Sequence, residues 1–174
     1  MGQMTAAASS PFPADSSGPL SAAALQAANI NPRTGLATDY LNHFNEAIML
    51  LEMIPAMPEC TDDFLLWEPL TYPEHFLQSG FKGRDLAIAA YEAADPALRA
   101  RFDKLCDTLT SILTEIKKAM TATTQAETRM RLADQAMGWL KPLVVQVGGI
   151  INGDGEGEVG GEKPQSAADL IMSA

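Results

Sequence analysis

The feature that most constrains this chain is a run of apolar side chains, Leu98, Phe102, Leu105, Leu109, Ile112, Ile116 and Met120, recurring at intervals of four and three residues. That spacing lines one side of an α-helix and nearly matches a coiled-coil seam. Asp95-Pro96 marks its start, because a carboxylate accepts from the orphan N–H groups of a first turn and proline tolerates the first helical position. At 1.5 Å per residue the helix reaches about 40 Å, so only partners of similar length bury its stripe.

The rest of the sequence supplies such partners. After a turn at 121–124, residues 125–141 predict an antiparallel return helix that buries Met130, Ala133, Met137 and Leu140. Pro142 is expected to kink that helix and not to end it, since the apolar run 143–151 continues. Upstream, Thr38 predicts an N-cap and Asp39 a first-turn acid for a helix that Pro55 stops. Projected at the helical repeat, Tyr40, Leu41, Phe44, Ala47, Ile48 and Leu51 face inward, while Asp39, Asn42, His43 and Glu46 face outward. Met49, Leu50 and Met53 are expected to draw the second half of that helix wholly into the core.

Between these long elements the signals are shorter. The segment 64–67 is too apolar for a free loop and reads as about one turn of helix. Thr71 and Glu74 match a capping box with Pro73 in the first turn, and a further helix follows over 85–94. The whole predicts an all-α domain over 37–152: a four-helix, mostly antiparallel up-and-down bundle with a broken second helix. Residues 1–36, poor in large apolar side chains, predict a flexible N-terminal arm with a short helix at 21–28 gripping only through Leu25 and Ile30. Residues 153–174 predict a Gly/acid-rich linker and a short C-terminal helical motif, in which Leu170, Ile171 and Met172 form a candidate docking motif.

Charge then excludes function classes. With 12 basic against 22 acidic residues the net charge is −10, a field that repels phosphate backbones, so nucleic acid is not an expected partner. No apolar run approaches the ~20 residues of a membrane span, and the proline-interrupted start lacks the pattern of a secretory signal. Cys60 and Cys106 stand outside any C-x-x-C spacing and read as small core hydrophobes in a reducing compartment. The expected location is cytoplasmic, with no membrane association.

Two polar groupings are candidate sites. Asp39, His43 and Glu46 share one helix face, and His75 is the second histidine, so these four form a candidate ligand or metal set. Helix-bundle metal sites repeat Glu-x-x-His on two helices, whereas His43-x-x-Glu46 occurs once, and a plain hydrogen-bonded face is the simpler reading. A phosphoacceptor role for His43 meets Glu46 where a cation is needed. Lys82 and Arg84 flank Gly83 at a helix start and form a candidate anion or partner contact. The plain alternative is a turn in which Gly83 takes positive φ and the cations pair with nearby acids. The stretch from Asn152 to Glu158 has the alternating oxygen ligands of a calcium loop, but Lys163 occupies the position of the bidentate glutamate.

No hydrolase elbow, phosphate loop, zincin or dinucleotide fingerprint occurs, and no cofactor is expected. The reading therefore leans away from an enzyme. It favours a non-enzymatic interaction protein, an adaptor or regulatory subunit with one or more protein partners and a possible homodimer through the near-heptad helix. The alternative is a small-molecule or metal-binding bundle that uses the Asp39/His43/Glu46 face, with Met49, Met53, Trp67 and Tyr91 lining a pocket.

Overall fold

The computed structural model describes residues 11–12 and 18–154, and among them the chain is all-helical. Seven α-helices follow in order: α1 (Ala22–Ala27), α2 (Leu41–Met53), α3 (Cys60–Leu66), α4 (Tyr72–Gln78), α5 (Arg84–Ala93), α6 (Pro96–Thr121) and α7 (Ala126–Asn152). The expected count of four is thus corrected to seven. Pro55, Pro58 and Pro69, which lack the N–H a helix needs, together with Gly80 and Gly83, which are poor helix formers, divide the stretch between α2 and α6 into three short helices.

The near-heptad stripe becomes the spine. Along α6, Phe102, Cys106, Leu109, Ile112, Leu113, Ile116 and Met120 are buried, and the Asp95 carboxylate accepts the Leu98 N–H at 2.9 Å. α7 folds back along α6 and runs through Pro142 to Asn152. α2 packs on α7 in the opposite direction: Glu52 pairs with Lys141, while Leu41, at the other end of α2, lies against Gly148. α3 bridges α2 and α6, and α4 packs on α5.

Two details of α2 differ from expectation. Thr38 is not an N-cap; Thr38–Tyr40 form a 3-10 turn that leads directly into α2, so the tighter turn supplies the first bonds. Met49 is 52% exposed and not in the core, because α2 is covered by α7 and α3 and keeps an open outer side.

Residues 18–36 lie against the domain. Ser21 caps α1, and Leu25, Ile30 and Leu36 are fully buried. The segment also finds polar partners that local sequence does not reveal. Thr34 donates its hydroxyl to the Ile151 carbonyl at 2.7 Å, and the Arg33 guanidinium reaches the Gly153 carbonyl at 3.5 Å. The Thr34 bond serves one of the last carbonyls of α7, which have no intrahelical partners, and the Arg33 bond holds Gly153, whose φ of 79 reverses the chain. Thr34→Val, which keeps the shape and removes the donor, is expected to lower stability by about 1–3 kcal/mol, read from the urea midpoint. Residues 1–10, 13–17 and 155–174, including the glycine-rich linker and Leu170, Ile171 and Met172, lie outside the described residues.

Candidate histidine and tyrosine site

At the entry to α2 the spacing of Tyr40, His43 and Phe44 sets three rings on one face one turn apart. Tyr40, almost fully buried, is their centre. Its ring lies 5.2 Å from Tyr72 and 5.5 Å from His75, both on α4, and 6.0 Å from Phe102 on α6. Trp67 stacks on His43 at 4.8 Å and 25°. The outward placement of His43 is therefore corrected: it is 6% exposed and covered by the connector 67–71 between α3 and α4.

The reason is a backbone requirement. A connector crossing a hydrophobic face must pair its N–H and C=O groups with something. Leu70 does both through α2 and the turn before it: its N–H donates to His43 Nε2 at 3.0 Å, and its carbonyl accepts from the Tyr40 hydroxyl at 2.8 Å. Trp67 Nε1 donates to the His43 carbonyl at 3.1 Å, and Lys117 Nζ donates to the Trp67 carbonyl at 2.7 Å. Since Nε2 accepts, the neutral imidazole carries its proton on Nδ1, an assignment made from the hydrogen-bond pattern. Burial, and secondarily the nearby His75, lower the His43 pKa to about 4.

Of the candidate ligand set, the structure brings Asp39 and His75 together, with Nε2 of His75 3.0 Å from Asp39 Oδ2. The other Asp39 oxygen accepts from Asn42 at 3.2 Å. His43 stands beside His75, ring centroids 6.1 Å apart. Glu46 is exposed, and no hydrogen bond among the described residues joins it to the other three. No group of three or more His, Cys, Asp and Glu side chains converges as a metal centre requires, among the described residues.

A second polar pair was not legible in the sequence. The Tyr91 hydroxyl on α5 donates to both oxygens of Asp103 on α6, at 2.9 and 3.0 Å, with the Arg99 guanidinium 5.6 Å over the Tyr91 ring. Burial holds the Asp103 carboxyl above its usual range, and burial followed by the bond to Asp103 pushes Tyr91 up to about 12. Tyr72 stacks on Tyr91 at 4.7 Å, and its hydroxyl accepts the Ala37 N–H at 3.0 Å. Of Met49, Met53, Trp67 and Tyr91, the residues expected to line a pocket, only Trp67 borders an open groove of about 480 Å³, which Pro69, Thr114 and Lys117 also line.

Lys82 and Arg84 are exposed at the start of α5, and Arg84 Nε lies 3.7 Å from Asp85 Oδ1. Gly83 takes φ −90 and not a positive φ; its small size suits the approach of Ala28, whose Cβ would lie 3.1 Å from any added methyl. Cys60 and Cys106 are free and buried. No helix among the described residues is long and apolar enough to cross a membrane. No known protein family, curated protein or solved structure matches this chain.

Proposed function

We propose that this chain is a non-enzymatic interaction protein, an adaptor or regulatory subunit, that engages partner proteins through its helical surface and terminal segments in a reducing compartment. One observation carries the reading: Met49 at 52% and Val145 at 73% exposure stand on neighbouring helices. The Glu52–Lys141 pair fixes α2 and α7 antiparallel. Met49 lies one turn before Glu52 and Val145 one turn after Lys141, so both fall on the same side of that pair. Exposed apolar side chains beside the Glu52–Lys141 ion pair combine the apolar and polar contacts that a recognition surface uses. The scaffold for it is bundle-like, with α2, α6 and α7 as long members and α3 to α5 standing in place of a fourth.

The alternative, ligand binding at Asp39, His43 and Glu46, has less support. His43 Nε2 and both Asp39 oxygens already hold the connector and its surroundings. The test is quantitative co-purification from the native host with intact protein and with the Met49→Glu/Val145→Glu pair of substitutions. At least one specific partner is expected to fall tenfold or more while helical circular dichroism is unchanged. Partners retained in full by this variant, and by a chain ending at Asp154, would overturn the reading.

A further inference from the structure

On the outer side of α2 the exposed residues Asn42, Asn45, Glu46, Met49 and Glu52 recur at helical spacing, and on α7 Gly138, Lys141, Pro142 and Val145 do the same. The two stripes differ in charge. That of α2 holds two carboxylates, whereas Lys141 is the only charged residue between Gly138 and Gly153. Two glycines sharpen the contrast. A methyl added to Gly138 or to Gly149 would meet nothing among the described residues, so packing within them requires neither, yet each weakens α7 relative to alanine. Glycine in the middle of a helix suits a place where a second backbone comes close.

We infer, resting on the reading of this face as a recognition surface, that its occupant is a second copy of the chain, with α2 of each protomer lying antiparallel on α7 of the other. The charges choose the arrangement. A two-fold axis running along the helices sets the acidic stripe of α2 against the stripe of Lys141, in both directions at once. Glu52 stands level with Lys141, and one turn further along each helix Met49 stands level with Val145. Each Glu52 therefore meets the partner's Lys141, and each Met49 meets the partner's Val145. Asn45 falls opposite the partner's Gly149, whose bare backbone admits the close approach. The other face-to-face docking, α2 on α2, opposes Glu46 to the partner's Glu52 and is repulsive. A partner of another kind needs both complementary stripes built separately, whereas a second copy already carries them.

The test is the mass of the full chain by sedimentation equilibrium, from micromolar to millimolar concentration, for intact protein, Glu52→Lys, Lys141→Glu and an equimolar mixture of the two variants. The intact chain is expected to dimerise. Each variant alone should associate about tenfold more weakly or worse, because both symmetry-related contacts become repulsive. The mixture should recover dimers, since the two cations of one chain then face the two carboxylates of the other while the pair within each chain stays broken. Gly149→Ala should raise the thermal midpoint where the chain is monomeric and still weaken the dimer, a pair of opposite effects that a role within one chain does not give. A chain monomeric up to millimolar concentration, variants that dimerise as the intact chain does, or a mixture that stays monomeric overturns the second copy as occupant. A monomer that still loses a host partner through Met49→Glu/Val145→Glu overturns it too and leaves the recognition reading standing, so the two fail separately.

Discussion

Phe102→Ala is expected to destabilise the protein by about 3–5 kcal/mol, the range for deleting a fully buried aromatic side chain. The ring sits where four elements meet: it lies on α6 and touches Tyr40 at the entry to α2, Tyr72 on α4 and Tyr91 on α5, with centroids 6.0, 5.7 and 6.4 Å away. Removing it leaves a cavity walled by large, hydrogen-bonded rings that are not free to collapse into it. The urea midpoint should fall with little change in slope, whereas Lys104→Ala on the exposed side of the same helix should move it by less than about 0.5 kcal/mol. Equal effects from the two substitutions would contradict the placement of Phe102 at this junction.

Acidification should act on the same region through one imidazole. His43 has a pKa of about 4 in the folded protein against 6.5 ordinarily, so below pH 6.5 the unfolded chain binds this proton before the folded one does. The contribution is complete above about 6.5 and is lost as the pH falls towards 4, amounting to about 3 kcal/mol at 1.36 kcal/mol per unit. Protonated Nε2 no longer accepts from Leu70, and the new charge faces His75, with Asp39 and Lys117 as the neighbouring charged groups. Glu74, held below the usual carboxylate range by its bonds to Thr71, adds a loss of the same sign at lower pH. Asp103, held above that range chiefly by burial, contributes with the opposite sign. His43→Gln keeps an acceptor without the titration and should flatten the profile between pH 6.5 and 4. An unchanged profile would assign the acid sensitivity elsewhere.

What was legible in the sequence is what physics keeps local. The α6 stripe, the Asp95 cap, the Thr71/Glu74 box and the continuation of α7 through Pro142 all rest on neighbours three or four positions apart, and all are present. The face of His43 was misassigned for the opposite reason. Its partner Leu70 lies 27 residues away, and nothing in the spacing of α2 says that a connector will cover it. The docking of residues 18–36 has the same long-range character: Thr34 answers a carbonyl 117 positions downstream, a partner that local composition does not reveal. Of the candidate ligand set Asp39, His43, Glu46 and His75, the structure pairs Asp39 with His75 and sets the His43 ring 6.1 Å from His75, while Tyr40, read in the sequence only as a core residue, stands beside both histidines.

The bonds from Arg33 and Thr34 to the end of α7, and the seat of Phe12 on Gly35, place the first and last described parts of the chain at one pole. Phe12 and Asp154 therefore mark neighbouring places in the fold although 141 positions separate them in sequence.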